Sequence, residues 1–172
     1  MSKTGDSIMS VDKLADLVKK AQKAGADHAD AVFFSGRSNS ASWRLGKLED
    51  IERSENSDLG LRVFIGKNQA IVSSSDMSEE TLDELVSRSL DMARNTPEDP
   101  YAGLADPDLL ATPDEFELDL CDDYEIDDET LKNIAAEAEA HALDIQGISN
   151  SEGANASTTK SQITLANSNG FA

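Results

Sequence analysis

Two histidines, one cysteine and a large surplus of carboxylates are the side chains with which this sequence could do chemistry. A hydrolytic zinc site needs two or three His or carboxylate ligands, commonly as His-Glu-x-x-His on one helix, so that both imidazoles face the metal with the Glu beside them as base. His28 is followed by Ala29 and Ala31 rather than by a ligand at helical spacing, and His141 lies near the apolar seam expected of a late helix. A surface or partly buried role is the reading adopted for each. Cys121 sits among acidic residues, which disfavour a thiolate and argue against a nucleophile. No G-x-S-x-G elbow, phosphate-binding G-x-x-x-x-G-K-[ST] or dinucleotide G-x-G-x-x-G occurs. The hydroxyl-rich runs "SSSD" (73–76) and "SEGANASTTKS" (151–161) lack a positioned His or Lys and read as strand ends and exposed strand. Trp43 with Arg44 could form a ligand platform, but packing within a sheet is the expectation. Carboxylate pairs such as Glu49 with Glu52, or Asp122 with Asp123, are too common in so acidic a chain to single out. No catalytic, cofactor-binding or metal-binding residue is therefore assigned.

The 172 residues carry 34 acidic against 15 basic side chains, a formal net charge of −19. A field of that sign repels nucleic-acid phosphates and anionic headgroups, so neither direct nucleic-acid binding nor a membrane is expected. No apolar run approaches the roughly 20 residues needed to span a bilayer. The start "MSKTGDSIMS" lacks the apolar stretch of a signal peptide, and a single cysteine permits no internal disulfide. A cytoplasmic location is expected. With 38% hydrophobic and 5% aromatic residues, the core should be modest and aliphatic.

Elements that would position these side chains follow from periodicity. Val11, Leu14, Leu17, Val18 and Ala21 trace one face of a helix, with Ser10 as N-cap, Met9 and Leu14 as a hydrophobic staple and Gly25 as the stop. From Asp30 to Ser75 the period falls toward two. Four antiparallel strands are expected there, over 30–45, 47–57, 60–66 and 69–75, with Leu61, Val63 and Ile65 on one face and Arg62 and Phe64 on the other. Asp76 and Glu79 form a D-x-x-E capping pattern before a second helix, on which Leu82, Leu85, Val86, Leu90 and Ala93 share a face.

All four prolines, Pro97, Pro100, Pro107 and Pro113, then mark a connector, because proline breaks helix and sheet ladders alike. Residues 114–129 include ten acidic residues in sixteen. A cation site or docking strip is one reading of that run; a solvated, self-repelling segment is the one favoured. Ile126, Asp127 and Leu131 repeat the staple-and-cap pattern before a third helix with Leu131, Ile134, Ala135, Ala138 and Ile145 along its stripe. Two polar strands, 148–157 and 161–168, follow, joined near Thr159-Lys160. Asn169-Gly170 then signals a type I′ hairpin turn, for which both residues need positive φ. With only Phe171 and Ala172 beyond it, the expectation is a piece cut from a longer protein. The expected class is α+β: a domain over 1–96 with an antiparallel meander and helices on one face, a connector over 97–126, and the truncated start of a second α+β unit over 127–172.

The connector stretch "PEDPYAGLADPDLL" (97–110) closely resembles the segment after the second helix in the PmbA (TldE) branch of the TldD/PmbA family. "AGADHADAVFFSGRSNSASWRLGKLEDIE" (24–52), "GLRVFIGKNQAIVSSSDMSEETL" (60–82), and the closing "SEGANAS" to "LANSNGF" agree in the same order. The resemblance implies a cytosolic heterodimer that processes unfolded peptides, including maturation of a peptide antibiotic and removal of an antitoxin. In it a TldD-like subunit carries zinc on a His-Glu-x-x-x-His helix, and PmbA is the metal-free partner. Zinc is accordingly expected only in that partner, and no zinc ligand transfers to His28 or His141. The older family name, modulator of DNA gyrase, does not require contact with DNA. Two alternatives stand beside this: a fragment of the zinc-bearing subunit, and an acidic interaction adaptor that docks basic partners through 114–129.

Overall fold

The structure, a computed structural model, describes residues 9–111 and 118–172. Residues 1–8, and with them the leader question, lie outside the described residues, as do Pro113 and the first part of the acidic run, 114–117. Ser10 accepts a hydrogen bond from Lys13 N and opens α1 (Val11–Lys23), which buries Leu14, Leu17, Val18 and Ala21 as its periodicity requires. Gly25 ends it at φ +119, a conformation costly for any residue with a Cβ. The chain continues through β1 (His28–Arg44), β2 (Lys47–Ile65), β3 (Asn68–Ser74), α2 (Glu79–Arg94), a short 3-10 turn at Pro107–Leu109, α3 (Asp128–Leu143) and β4 (Ala154–Asn167). The strands form one four-stranded sheet in the order β3-β2-β1-β4, giving the antiparallel α+β class expected.

Strand lengths depart from the sequence reading. The expected strands 47–57 and 60–66 are a single strand, β2, because Gly60 stays extended and a Cβ there would meet only the Val32 Cγ1 at 3.4 Å. Likewise the later part of 148–157 joins 161–168 as β4, which starts only at Ala154, after Gly153 at φ +101; Thr158, Thr159 and Lys160 all keep negative φ, and β-branched threonine favours the extended backbone. The cap of α2 is Ser78, not Asp76: Ser78 Oγ accepts from Thr81 N, while Asp76 braces the cap through Ser78 N and Thr81 Oγ1. The Asn-Gly turn also differs. Only Gly170 has positive φ, Asn167 O accepts from Gly170 N, and Asn167 N donates to Phe171 O, a three-residue loop closed by a glycine bulge. Asn169 is freed from a left-handed conformation because the Asn167 carboxamide accepts from both Asn169 N and Phe171 N.

Two compact units divide the chain, each built from separate stretches of sequence. The first takes the chain through Ser35, resumes at Ser57 and returns with Gln162–Ala172. In it Ala29, Ala31 and Phe33 of β1, Leu59, Leu61 and Val63 of β2, and Ala70 and Val72 of β3 alternate onto one sheet face. Helices α1 and α2 cover that face with Leu14, Leu17, Val18, Leu85, Val86 and Leu90. β2 and β3 pair antiparallel from Leu59 with Ser74 to Ile65 with Asn68, so Gly66 and Lys67 alone form the turn.

Gly36–Asn56 and Leu118–Ser161 form the second unit. Its smaller core joins Ala41, Leu131, Ala135 and Ala156, with Trp43 and Ile126 packed against them. Asp127 caps α3 by accepting from Thr130 N. Of the expected stripe Leu131 and Ala135 are buried, but Glu139 completes the buried row while Ile134, Ala138 and Ile145 are exposed. Spacing of four places a charged residue in the core row, which an apolar count passes over.

Candidate functional site

Glu139 explains itself through the β1–β2 turn. Leu45 and Gly46 both have positive φ, +48 and +75, as a two-residue type I′ hairpin demands, and leucine pays for that conformation in steric crowding. The buried Glu139 carboxylate accepts from Leu45 N at 2.8 Å and Gly46 N at 3.0 Å, clamping the turn. The Gly46 N–H does most to hold this carboxyl below the usual carboxylate range; burial pushes the other way, and the Leu45 N–H, the Ser151 hydroxyl and the Arg44 charge add to the lowering. A carboxyl that binds its proton less readily when folded contributes stability above its unfolded value of about 4.3, and that contribution is lost as pH falls through the depressed folded value. Glu139→Gln is expected to lower the urea midpoint at neutral pH and to flatten its decline below about pH 4.3. An unchanged acid limb would mean that the clamp is not charged.

Further along the same strands the second unit holds a groove of about 480 Å³. Arg37 and Asn39 on β1, Arg53 and Glu55 on β2, and Thr158 and Lys160 on β4 line it, each pair at the two-residue spacing that puts side chains on one face. An extended strap, Leu120 through Ile126, forms the other wall. Glu125 accepts from Arg37 and Asp128 from Arg53. The Arg37–Glu125 pair is mostly exposed, and such pairs are worth about 0–1 kcal/mol. Leu120 and Tyr124 are 83% and 68% exposed, so along its length the strap has little apolar burial, which is confined to Ile126 at its end.

The residues weighed from sequence are scattered. His28 is exposed in the first unit and His141 is exposed on α3 in the second, its Nδ1 2.7 Å from Glu137 O. Trp43 packs in the small core, as expected, and Arg44 donates to Ser151 O at 3.2 Å and lies near Glu49. Cys121 is exposed on the groove wall, and Asp122 turns the strap by accepting from Tyr124 N. Among the described residues no three His, Cys, Asp or Glu side chains cluster in a way that could hold a metal ion. Among them, too, no helix is long and apolar enough to cross a membrane. The convergence of Arg37, Arg53 and Lys160 went unread; its only trace in the sequence is that each sits at alternate spacing from a polar neighbour.

At the sheet margin β4 has β1 on one side and no strand among the described residues on the other.

Residues 29–93 match the family profile described as PmbA/TldA metallopeptidase domain 1. The chain is 36% identical over 156 residues to the metalloprotease PmbA homolog of Haemophilus influenzae, covering 90% of this chain and 34% of that protein. It is 33% identical over 147 residues to metalloprotease PmbA of Escherichia coli O157:H7, covering 85% and 32%. The fold is that of TldE from Thermococcus kodakarensis, with a TM-score of 0.74 at 15% identity over 94% of this chain and 35% of that one. It also matches a Bacteroides thetaiotaomicron protein named for modulation of DNA gyrase, with a TM-score of 0.74 at 20% identity over 95% and 38%. The chain thus spans about a third of the length of the curated relatives it matches. Sequence match and fold agree: the chain belongs to the PmbA/TldE family, as its N-terminal, metallopeptidase-like α+β region.

Proposed function

We propose that this region is a non-catalytic wall of a cytoplasmic two-subunit peptidase, shaping the cavity or the subunit contact through which unfolded peptides reach zinc held by a TldD-like partner. The single observation that carries the reading is the 14-residue strand β4, which has no strand beyond it among the described residues and to which an extended backbone can add, in a chain of a metallopeptidase family. A folded protein offers no such backbone, because its own ladders occupy it; selection for unfolded chains follows from that. The two histidines, each exposed and one in each unit, support the assignment of zinc to the partner. The net charge of −19 favours a peptide over a nucleic acid or an anionic membrane surface.

Calorimetric titration with zinc is expected to show no stoichiometric uptake by this chain, and an unstructured peptide is expected to bind it while a folded domain of the same composition does not. Tight one-to-one zinc binding would overturn the division of labour. Equal binding of folded and unfolded probes would overturn strand addition.

A further inference from the structure

Each strand of the first unit's sheet contains a run in which the residues between the core positions are themselves mostly apolar: "AVFF" (31–34), "VFI" (63–65), "AIV" (70–72) and "ITLA" (163–166). An antiparallel sheet with one face in water alternates apolar with polar, whereas near-continuous apolar runs belong to strands covered on both sides. Helices α1 and α2 cover one side only, that of Phe33, Val63, Val72 and Ala166. The outer side carries Val32, Phe34, Ile71, Ile163 and Leu165, which are between 36% and 68% exposed. A Cβ built on Gly60 would stand 3.4 Å from Val32 Cγ1, which puts Val32 on the side away from Leu59 and Leu61. Phe64, also on the outer side, is buried, with the Arg62 guanidinium over its ring and Arg62 itself paired with Asp30.

We propose that this sheet is a middle layer, and that its outer face seats a further layer drawn from the part of the family polypeptide lying beyond the region this chain shares with its relatives. Those relatives hold about two-thirds of their length outside the shared region, ample for such a layer. A contiguous apolar face of this kind marks a contact surface, and five side chains on neighbouring strands make one. A second copy of this chain is the poorer occupant, because each copy brings a formal charge of −19 to the contact and like charges oppose close approach. The inference rests on the strand pattern and on family membership, not on the peptide-binding reading above.

The test replaces Ile71 or Ile163 with cysteine, each with Cys121→Ser so that the introduced thiol is alone, and times its reaction with a maleimide. Two forms are compared: this chain, and the protein carried on to the length of its relatives. In this chain both thiols should react freely, since Ile71 and Ile163 are 64% and 68% exposed. In the longer form both should slow by at least about tenfold, the mark of a site open for a tenth of the time or less. Met92→Cys, at an exposed position of α2, should react at the same rate in both forms. Equal rates at 71 and 163 in the two forms overturn the proposal. Slowing in this chain alone that grows with its concentration also overturns it, by making the occupant a second copy. So does slowing in the longer form only when an unstructured peptide is added, which makes the face a peptide seat. As a second measurement, Ile71→Thr combined with Ile163→Thr should leave the urea midpoint of this chain unchanged and lower that of the longer form; an equal midpoint in both counts against a covering layer.

Discussion

Phe33→Ala is expected to lower the unfolding free energy by about 3–5 kcal/mol, the usual cost of emptying a fully buried aromatic site. Phe33 is 1% exposed and lies in the row with Ala29 and Ala31 beneath α1 and α2. Its neighbours in the core are mostly Leu, Val and Ala, too small and too firmly held to fill the space of a lost ring. Most domains are stable by only about 5–15 kcal/mol, so much of the first unit's stability should go with it. Phe34, one residue along, faces the other side of the sheet and is 36% exposed. Phe34→Ala should cost far less, and urea titrations of the two variants provide the comparison. Equal losses would mean that the alternation of β1 is wrong and the helices cover the opposite face.

Gly153→Ala should destabilise the second unit by about 2–4 kcal/mol, from a left-handed backbone that penalises any Cβ and from overpacking against a neighbour that cannot yield. Gly153 has φ +101, and a Cβ built on it would stand 3.0 Å from Trp43 O and 3.4 Å from Arg44 Cβ. Trp43 packs against the small core, and Arg44 is tied to Ser151 O, so neither side of the contact is loose. Gly147, also at positive φ (+97) but with nothing within 4 Å of a built Cβ, separates the two causes. Gly147→Ala should cost only the backbone part, about 1–2 kcal/mol. If both variants melt alike, the close approach to Trp43 O contributes nothing.

These sites also show how far the chain could be read before its structure. Ser10, Asp127, Gly25 and the apolar row of α1 were legible, because a cap or a helical stripe is settled by residues within about four positions of one another. The alternation of Leu61 and Val63 against Arg62 was legible for the same reason, and so was the packing of Trp43. Glu139 was not. Its place in the core row follows only from a turn 93 and 94 residues earlier whose N–H groups need an acceptor. Nor was strand continuity: Gly60 and the stretch 158–160 look like breaks when read locally, yet in the sheet they keep extended backbone and run on within β2 and β4.

By itself the sequence determined the α+β class, the helix ends, the acidic field and the family resemblance, all of which rest on composition or on short-range spacing. Only the tertiary structure decided that Arg37 meets Glu125 across 88 residues and Arg53 meets Asp128 across 75, and that these cations share a groove with Lys160. The physical reason is that a strand's period states which face a side chain takes but not which strand lies beside it; that choice is made by backbone pairing and burial summed over the folded chain.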